Sequence, residues 1–218
     1  MPRDFRLLGE IQDETIESAA CLNYLSSRGI KDRDVWFYKL GYSTDTRWIG
    51  RVLVPSFDDS GELNYFIGRT IYQGSKRYDQ PELPKVDVIF NDINIDWTRE
   101  LVLCEGPFDL IKCRMNATCL LGSELDESYF LFEKIIKNKT PICLLLDDDV
   151  LLKKTISIAK LLNSFDIKVR IAMLPANTDP GSLHPNAVQH FVDSAEAYTW
   201  LDSFKLKLAA RSKVKMSL

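Results

Sequence analysis

No apolar run in this sequence approaches the roughly 20 residues that a membrane-crossing helix needs. The opening Met1-Pro2-Arg3-Asp4-Phe5 also lacks the apolar centre of a signal peptide, so a cytoplasmic protein is expected. Histidine is scarce, with only His184 and His190. The five cysteines (Cys21, Cys104, Cys113, Cys119, Cys143) are odd in number and scattered, and no C-x-x-C pair occurs. A zinc site and a disulfide framework are therefore not expected, and buried thiols are. A G-x-x-x-x-G-K-[ST] loop is missing, which excludes a P-loop motor in this chain. A large excess of one sign of charge is missing too: 28 basic against 31 acidic residues give a net charge of −3, which does not advertise nucleic-acid binding. Internal repeats and low-complexity tracts are absent.

What is present is ordinary globular material. The chain has 218 residues, 45% hydrophobic and 27% charged, enough to bury a core in one large domain or two small ones. Asp13 to Arg28 reads as a helix stopped by Gly29, and Asp32 to Leu40 as a second, ended by Gly41. Arg51-Val52-Leu53-Val54-Pro55, a turn at Asp58-Asp59-Ser60-Gly61 and Leu63 to Ile71 form a hairpin pattern. Residues 73–97, rich in Pro, Asp, Asn and Lys, read as a connector. From Glu100 the rhythm becomes strand, helix, strand, helix. Strands are expected at Leu101–Cys104, Thr118–Leu121, Ile142–Leu146 and Lys168–Met173, with helices at Phe108–Met115, Asp126–Lys137 and Val150–Ser164. That alternation predicts an α/β domain with a parallel sheet covered on both faces. Asn186 to Arg211 is expected to be helical, and from Ser203 onward the tail carries five cations and no acid.

The chemistry-bearing residues follow two of the strands. After Leu101–Cys104 comes Glu105-Gly106-Pro107-Phe108-Asp109; after Ile142–Leu146 come Asp147, Asp148 and Asp149. In an open α/β sheet, ligands bind at the carboxyl ends of parallel strands. Glu105 and Asp109 lie one helical turn apart, and Asp147 and Asp149 share the two-residue strand period. Helix capping accounts for any one of these acids taken alone. Three consecutive aspartates exceed what a cap requires, and their mutual repulsion favours a counterion. Oxygen donors select a hard divalent cation, which suits chemistry on phosphates.

Glu105-Gly106-Pro107-Phe108-Asp109 resembles the E-G-x-x-D motif of the Toprim fold, and Asp147-Asp148-Asp149 its D-x-D motif. Gly122-Ser123 and Leu174-Pro175 through Asp179-Pro180 are similar to further Toprim segments of primases. In the front half, Tyr24-Leu25-Ser26-Ser27-Arg28-Gly29-Ile30 and Leu40-Gly41-Tyr42 resemble the Y-L-x-x-R-G-I…L-G-Y stretch of the DnaG-type primase core. Arg51 to Pro55 with Gly61 and Gly68-Arg69 resembles its R-V-x-x-P…G…G-R stretch. Lys76-Arg77-Tyr78 with Pro81-Glu82 is similar to its K-Y-x-x-P-E loop. These motifs occur in order over roughly residues 20 to 185, and the pattern looks closest to primases of large tailed bacteriophages.

The resemblance implies a Toprim fold with a parallel sheet of about four strands flanked by helices, preceded by a smaller α+β subdomain. The expected division is a primase-type N-terminal subdomain over 1–97, a metal-binding catalytic domain over 98–200 and a basic tail over 201–218. It further implies a primase, making short RNA primers on single-stranded DNA from ribonucleoside triphosphates. Glu105, Asp147 and Asp149 would be catalytic and bind Mg²⁺ or Mn²⁺, with Asp109 and Asp179 as further ligands. Arg51, Arg69, Lys76 and Arg77 would form a basic ridge that holds nucleotide and template phosphates. The tail is expected to contact a replicative helicase or DNA, and a phage protein would act in the host cytoplasm. The family's zinc-binding domain has no counterpart here, so a separate zinc-domain protein is an expected partner. Gly181 stands where the family carries a second acid after Asp179-Pro180. A Toprim nuclease and a non-catalytic nucleic-acid-binding or regulatory module are the alternatives.

Overall fold

The computed structural model describes residues 1–11, 15–74, 76–146, 152–175 and 178–199. The chain forms two compact units: Met1–Pro84 with Phe90–Ile93, and Lys85–Ile89 with the chain from Asn94 onward. The change of unit thus falls within 84–94, crossed three times, where a single boundary at residue 97 was expected.

The first unit is built on an antiparallel sheet in the order β1-β2-β3-β4-β5: Arg6–Leu7, Gly41–Tyr42, Arg51–Phe57, Leu63–Thr70 and Tyr78–Asp79. The central hairpin is as expected from the turn chemistry. Asp58 accepts from the amides of Ser60 and Glu62, and Gly61 takes a φ of +87°, which only a residue without a Cβ adopts cheaply. Helix α1 (Ile16–Ser27) starts at a reciprocal cap: Thr15 Oγ1 accepts from the Ser18 amide at 3.2 Å and Ser18 Oγ from the Thr15 amide at 2.9 Å. Helix α2 is shorter than expected, Asp32–Phe37, because Lys39 turns left-handed (φ 50°) and leads the chain into β2. The two-residue strands β1, β2 and β5 carry too little periodicity for sequence reading to find.

The second unit is the expected α/β layer. Its sheet runs β10-β9-β8-β6-β7, from Glu196–Ala197, Val169–Ile171, Ile142–Leu145, Leu101–Cys104 and Ala117–Cys119. Strands β6 to β9 are mutually parallel, and β10 joins antiparallel at the edge. Helices α3 (Pro107–Cys113), α4 (Phe130–Asn138), α5 (Leu152–Ser164) and α6 (Pro185–Asp193) complete the unit. Strands β6 and β8 are buried at every position, and so read as continuous apolar runs rather than alternations.

Three departures have identifiable causes. Helix α4 begins at Phe130 instead of Asp126, because the Asp126 carboxylate closes a turn onto the Ser128 amide and hydroxyl. Strand β7 ends at Cys119, because Leu121 adopts a left-handed φ of 54°. The expected helix from Asn186 to Arg211 ends at Asp193 within the described residues. The Arg170 guanidinium takes up the carbonyls of Val192, Asp193 and Ala195, and the chain then turns back to pair with β9. The tail over 201–218 lies outside the described residues. Among those described, no helix is long and apolar enough to cross a membrane.

Candidate active site

The connection from β6 leads to β7 on one side, and β8 then falls on the other side of β6 and leads away to β9. The carboxyl ends of β6 and β8 therefore form the switch point of the sheet, the place where such folds open a crevice for ligands. Glu105 leaves the end of β6. Asp147 and Asp149 follow β8 directly but lie outside the described residues.

Asp109 is the best-defined acid. It sits in the first turn of α3, is only 8% exposed, and accepts from two backbone amides, Gly106 (2.9 Å) and Gly181 (2.9 Å). Burial pushes its carboxyl up to about 6; the negative charges of Asp179 and Glu105 add to that, opposed by the two amide bonds. The charges of Glu105 and Asp179 are thus both felt at the Asp109 carboxyl. Gly181 supplies a buried N–H to Asp109 at the position where a second acid was missed. Among the described residues no group of three His, Cys, Asp or Glu side chains is close enough to hold a metal ion. Glu105, Asp109 and Asp179 still fit one by type: they are oxygen donors only, half-buried or buried, and the charges of Glu105 and Asp179 both push the Asp109 carboxyl up.

Sequence reading missed two lysines. After β7 the chain passes Leu121 and Gly122 to Ser123. The Gly122 amide donates to the Glu105 carbonyl at 3.2 Å. Lys85 donates to the Leu121 carbonyl at 2.7 Å, and Lys154 on α5 donates to Ser123 Oγ at 2.7 Å and to Glu124 Oε1 at 3.3 Å. Neither lysine stands in a recognisable motif, so no sequence signal marked them. The five cysteines are all buried; burial pushes the thiols of Cys21 and Cys143 up to about 12. Cys104 and Cys113 touch, sulfur to sulfur, at 3.3 Å.

The expected cations of the first unit gather at one end of its sheet, where Arg51 pairs with Thr70, Val52 with Arg69 and Arg69 with Tyr78. Their environments differ. Lys76 and Arg77 are exposed, and the Lys76 ammonium lies 3.5 Å from Asp79. Arg51 is half-buried and donates to the carbonyls of Gly68 and Lys76. Arg69 is neither a solvated charge nor an open cation: it is 8% exposed, donates to the Tyr24 hydroxyl at 3.0 Å and lies over the Tyr78 ring at 4.9 Å. Arg47, which no motif marked, joins the group through Asp79 (3.1 Å) and the Trp48 ring (4.7 Å).

An antiparallel α+β unit followed by a Toprim-like α/β unit with carboxylates at its switch point defines the class. The comparisons narrow it. No protein-family model matches the chain. It is 24% identical over 177 residues to the DNA primase of Listeria innocua, covering 60% of this chain and 28% of that protein. To the DNA primase of Staphylococcus epidermidis it is 24% identical over 217 residues, covering 77% and 36%. The chain thus spans only 28% and 36% of the length of these curated relatives. Among solved structures, a DnaG primase catalytic domain bound to single-stranded DNA superposes with a TM-score of 0.69 at 15% identity, covering 84% of this chain and 74% of that one. The zinc-binding and RNA polymerase domains of the Aquifex aeolicus primase give 0.68 at 20% identity, covering 85% and 57%. The fold is that of the DnaG-type primase catalytic core.

Proposed function

We propose that this chain is the catalytic unit of a DNA primase, joining ribonucleotides into short RNA primers on a single-stranded DNA template. The observation that carries the reading is the DnaG catalytic-core fold, with Glu105 leaving the carboxyl end of β6 and the buried Asp109 carboxylate in the first turn of the helix that follows. Glu105, Asp147 and Asp149 would hold Mg²⁺ or Mn²⁺, with Asp109 and Asp179 in support. A divalent cation bound there supplies neutralisation of phosphate charge and activation of the attacking hydroxyl. The chain's own residues do the positioning. Asp109 ties the start of α3 to the Gly181 segment through its two amide bonds and so fixes the direction in which Glu105 leaves β6. Arg51, Arg69, Lys76 and Arg77 would hold triphosphate and template phosphates, the exposed Lys76 and Arg77 by direct contact and Arg69 by bracing Tyr24 and Tyr78. Single-stranded DNA and ribonucleoside triphosphates are the proposed substrates, and a replicative helicase and a separate zinc-domain protein the proposed partners.

The decisive experiment supplies the purified chain with single-stranded templates, ribonucleoside triphosphates and Mg²⁺ or Mn²⁺. Templated dinucleotides and short primers are expected, lost by roughly 100-fold or more in Glu105→Gln and in Asp147→Asn, the scale on which removing one group that stabilises transition-state charge acts. Cleavage of the template without synthesis would instead assign a Toprim nuclease. DNA binding that needs no metal, with neither activity, would assign a non-catalytic module.

A further inference from the structure

Lys154 belongs to no motif, yet it makes a contact that crosses the candidate site. It lies in the first turns of α5, the helix that follows β8, and it donates to Ser123 in the turn that follows β7. Strands β7 and β8 are the two neighbours of β6 in the sheet, and β6 carries Glu105. The contact therefore joins the segments on either side of the strand end from which Glu105 projects. The same turn holds Glu105 directly, through the Gly122 amide on the Glu105 carbonyl. Buried Leu120, Leu121 and Leu125 anchor the ends of this turn in the core, while a Cβ added at Gly122 would meet nothing within 4 Å, so the middle of the turn is held by hydrogen bonds. The ion pair with Glu124 adds little, since the Glu124 side chain is 74% exposed. Of the two contacts Lys154 makes, the bond to Ser123 at 2.7 Å is the one that holds the turn, beside the Lys85 bond to the Leu121 carbonyl.

We infer that Lys154 is a positioning residue. By fastening Ser123 it holds the 121–124 turn against the end of β6, and thereby sets Glu105 for cation binding. The inference rests on the metal-site reading proposed above, and the two fail in distinguishable ways. The sign of the effect separates positioning from simple electrostatics. A lysine near clustered acids weakens cation binding by its charge alone, so removing it would tighten the site. Loss of a positioning contact weakens it, typically by about 10-fold.

The test uses the full chain and two measurements. Hydrogen exchange at the Gly122 amide reports whether the turn stays on Glu105, and Mn²⁺ binding, followed by the resonance signal of the free ion, reports the site. In Lys154→Met and in Ser123→Ala, Gly122 exchange is expected to speed up and Mn²⁺ affinity to fall by about 10-fold. Lys154→Arg is expected to restore part of both. Lys153→Met removes the same charge from the same helix, and is expected to leave exchange unchanged and Mn²⁺ affinity equal or tighter. Unchanged Gly122 exchange in Lys154→Met overturns the inference whatever the metal does. So does faster exchange with unchanged or tighter Mn²⁺ binding. A wild-type chain that binds no Mn²⁺ overturns the metal-site reading itself, and this inference with it.

Discussion

Asp109 shows how a single buried carboxylate serves structure and site together. Its two oxygens accept from amides 72 residues apart in one case and three in the other, so it staples a helix start to a distant loop. Truncation in Asp109→Ala leaves both N–H groups without that acceptor and is expected to cost about 2–4 kcal/mol, read from urea denaturation. Asp109→Asn keeps one accepting oxygen and is expected to lose about half as much. Asp4 acts by the same chemistry in the first unit. Hydrogen bonds from the hydroxyls of Ser43 and Thr44, with the Thr44 amide, hold its carboxyl down at about 2. Its folded-state value lies below its unfolded one, so its contribution is present above pH 4 and is lost as pH falls toward about 2. Asp4→Asn is therefore expected to flatten the acid limb of stability over that window, measured as the urea midpoint against pH. The position of Glu105 after β6 and of Asp109 in the first turn of α3 was legible in the sequence, because an apolar run followed by Glu-Gly-Pro marks a strand end and a helix start. Lys85 and Lys154 were not, because a long flexible side chain reaches its partner through a fold that spacing does not encode.

At the scale of elements, apolar runs and turn chemistry carried most of the information. Strands β6 and β8 and the β3–β4 hairpin were legible because continuous burial and an Asp-Gly turn both leave local signatures. Helix ends were less so, because side chains and backbone turns outside the helix, near or distant in the chain, set them. Helix α6 is the clearest instance: its polar pattern suggests continuation past Asp193, and the stop comes from Arg170 on β9. That arginine also pairs with Glu100 Oε2 at 2.9 Å, each side chain 32% exposed. Arg170→Met is expected to uncap three carbonyls and expose a half-buried Glu100, lowering stability by about 2–4 kcal/mol. Glu100→Gln, which keeps the cap, is expected to cost about 1 kcal/mol or less. Hydrogen exchange should localise the first loss to the end of α6 and to β10. Equal losses in the two variants would show that the ion pair, and not the cap, is what Arg170 contributes.

At the scale of the whole molecule, the sequence placed carboxylates in one half and paired cations in the other, while the net charge of −3 conceals both. The return of Phe90–Ile93 to the first unit was not legible, because no pattern in a polar connector reports which core a short apolar stretch joins. If the two halves divide the labour as proposed, they respond differently to salt. Lys76 and Arg77 are exposed, and each phosphate they neutralise releases about 0.7 of a counterion from single-stranded nucleic acid. Lys76→Ala combined with Arg77→Ala is then expected to weaken template binding and to lower the slope of log affinity against log salt by about 1.4, from fluorescence anisotropy of a labelled oligonucleotide. Mn²⁺ affinity in the second unit is expected to stay unchanged. Arg69→Lys is expected to behave otherwise, because an ammonium cannot stack on Tyr78 while donating to Tyr24 as the planar guanidinium does. Its effect is expected in stability first, with an unaltered salt slope. A slope that falls for Arg69→Lys and not for the Lys76 and Arg77 pair would move the phosphate contacts from the exposed loop to the buried arginine.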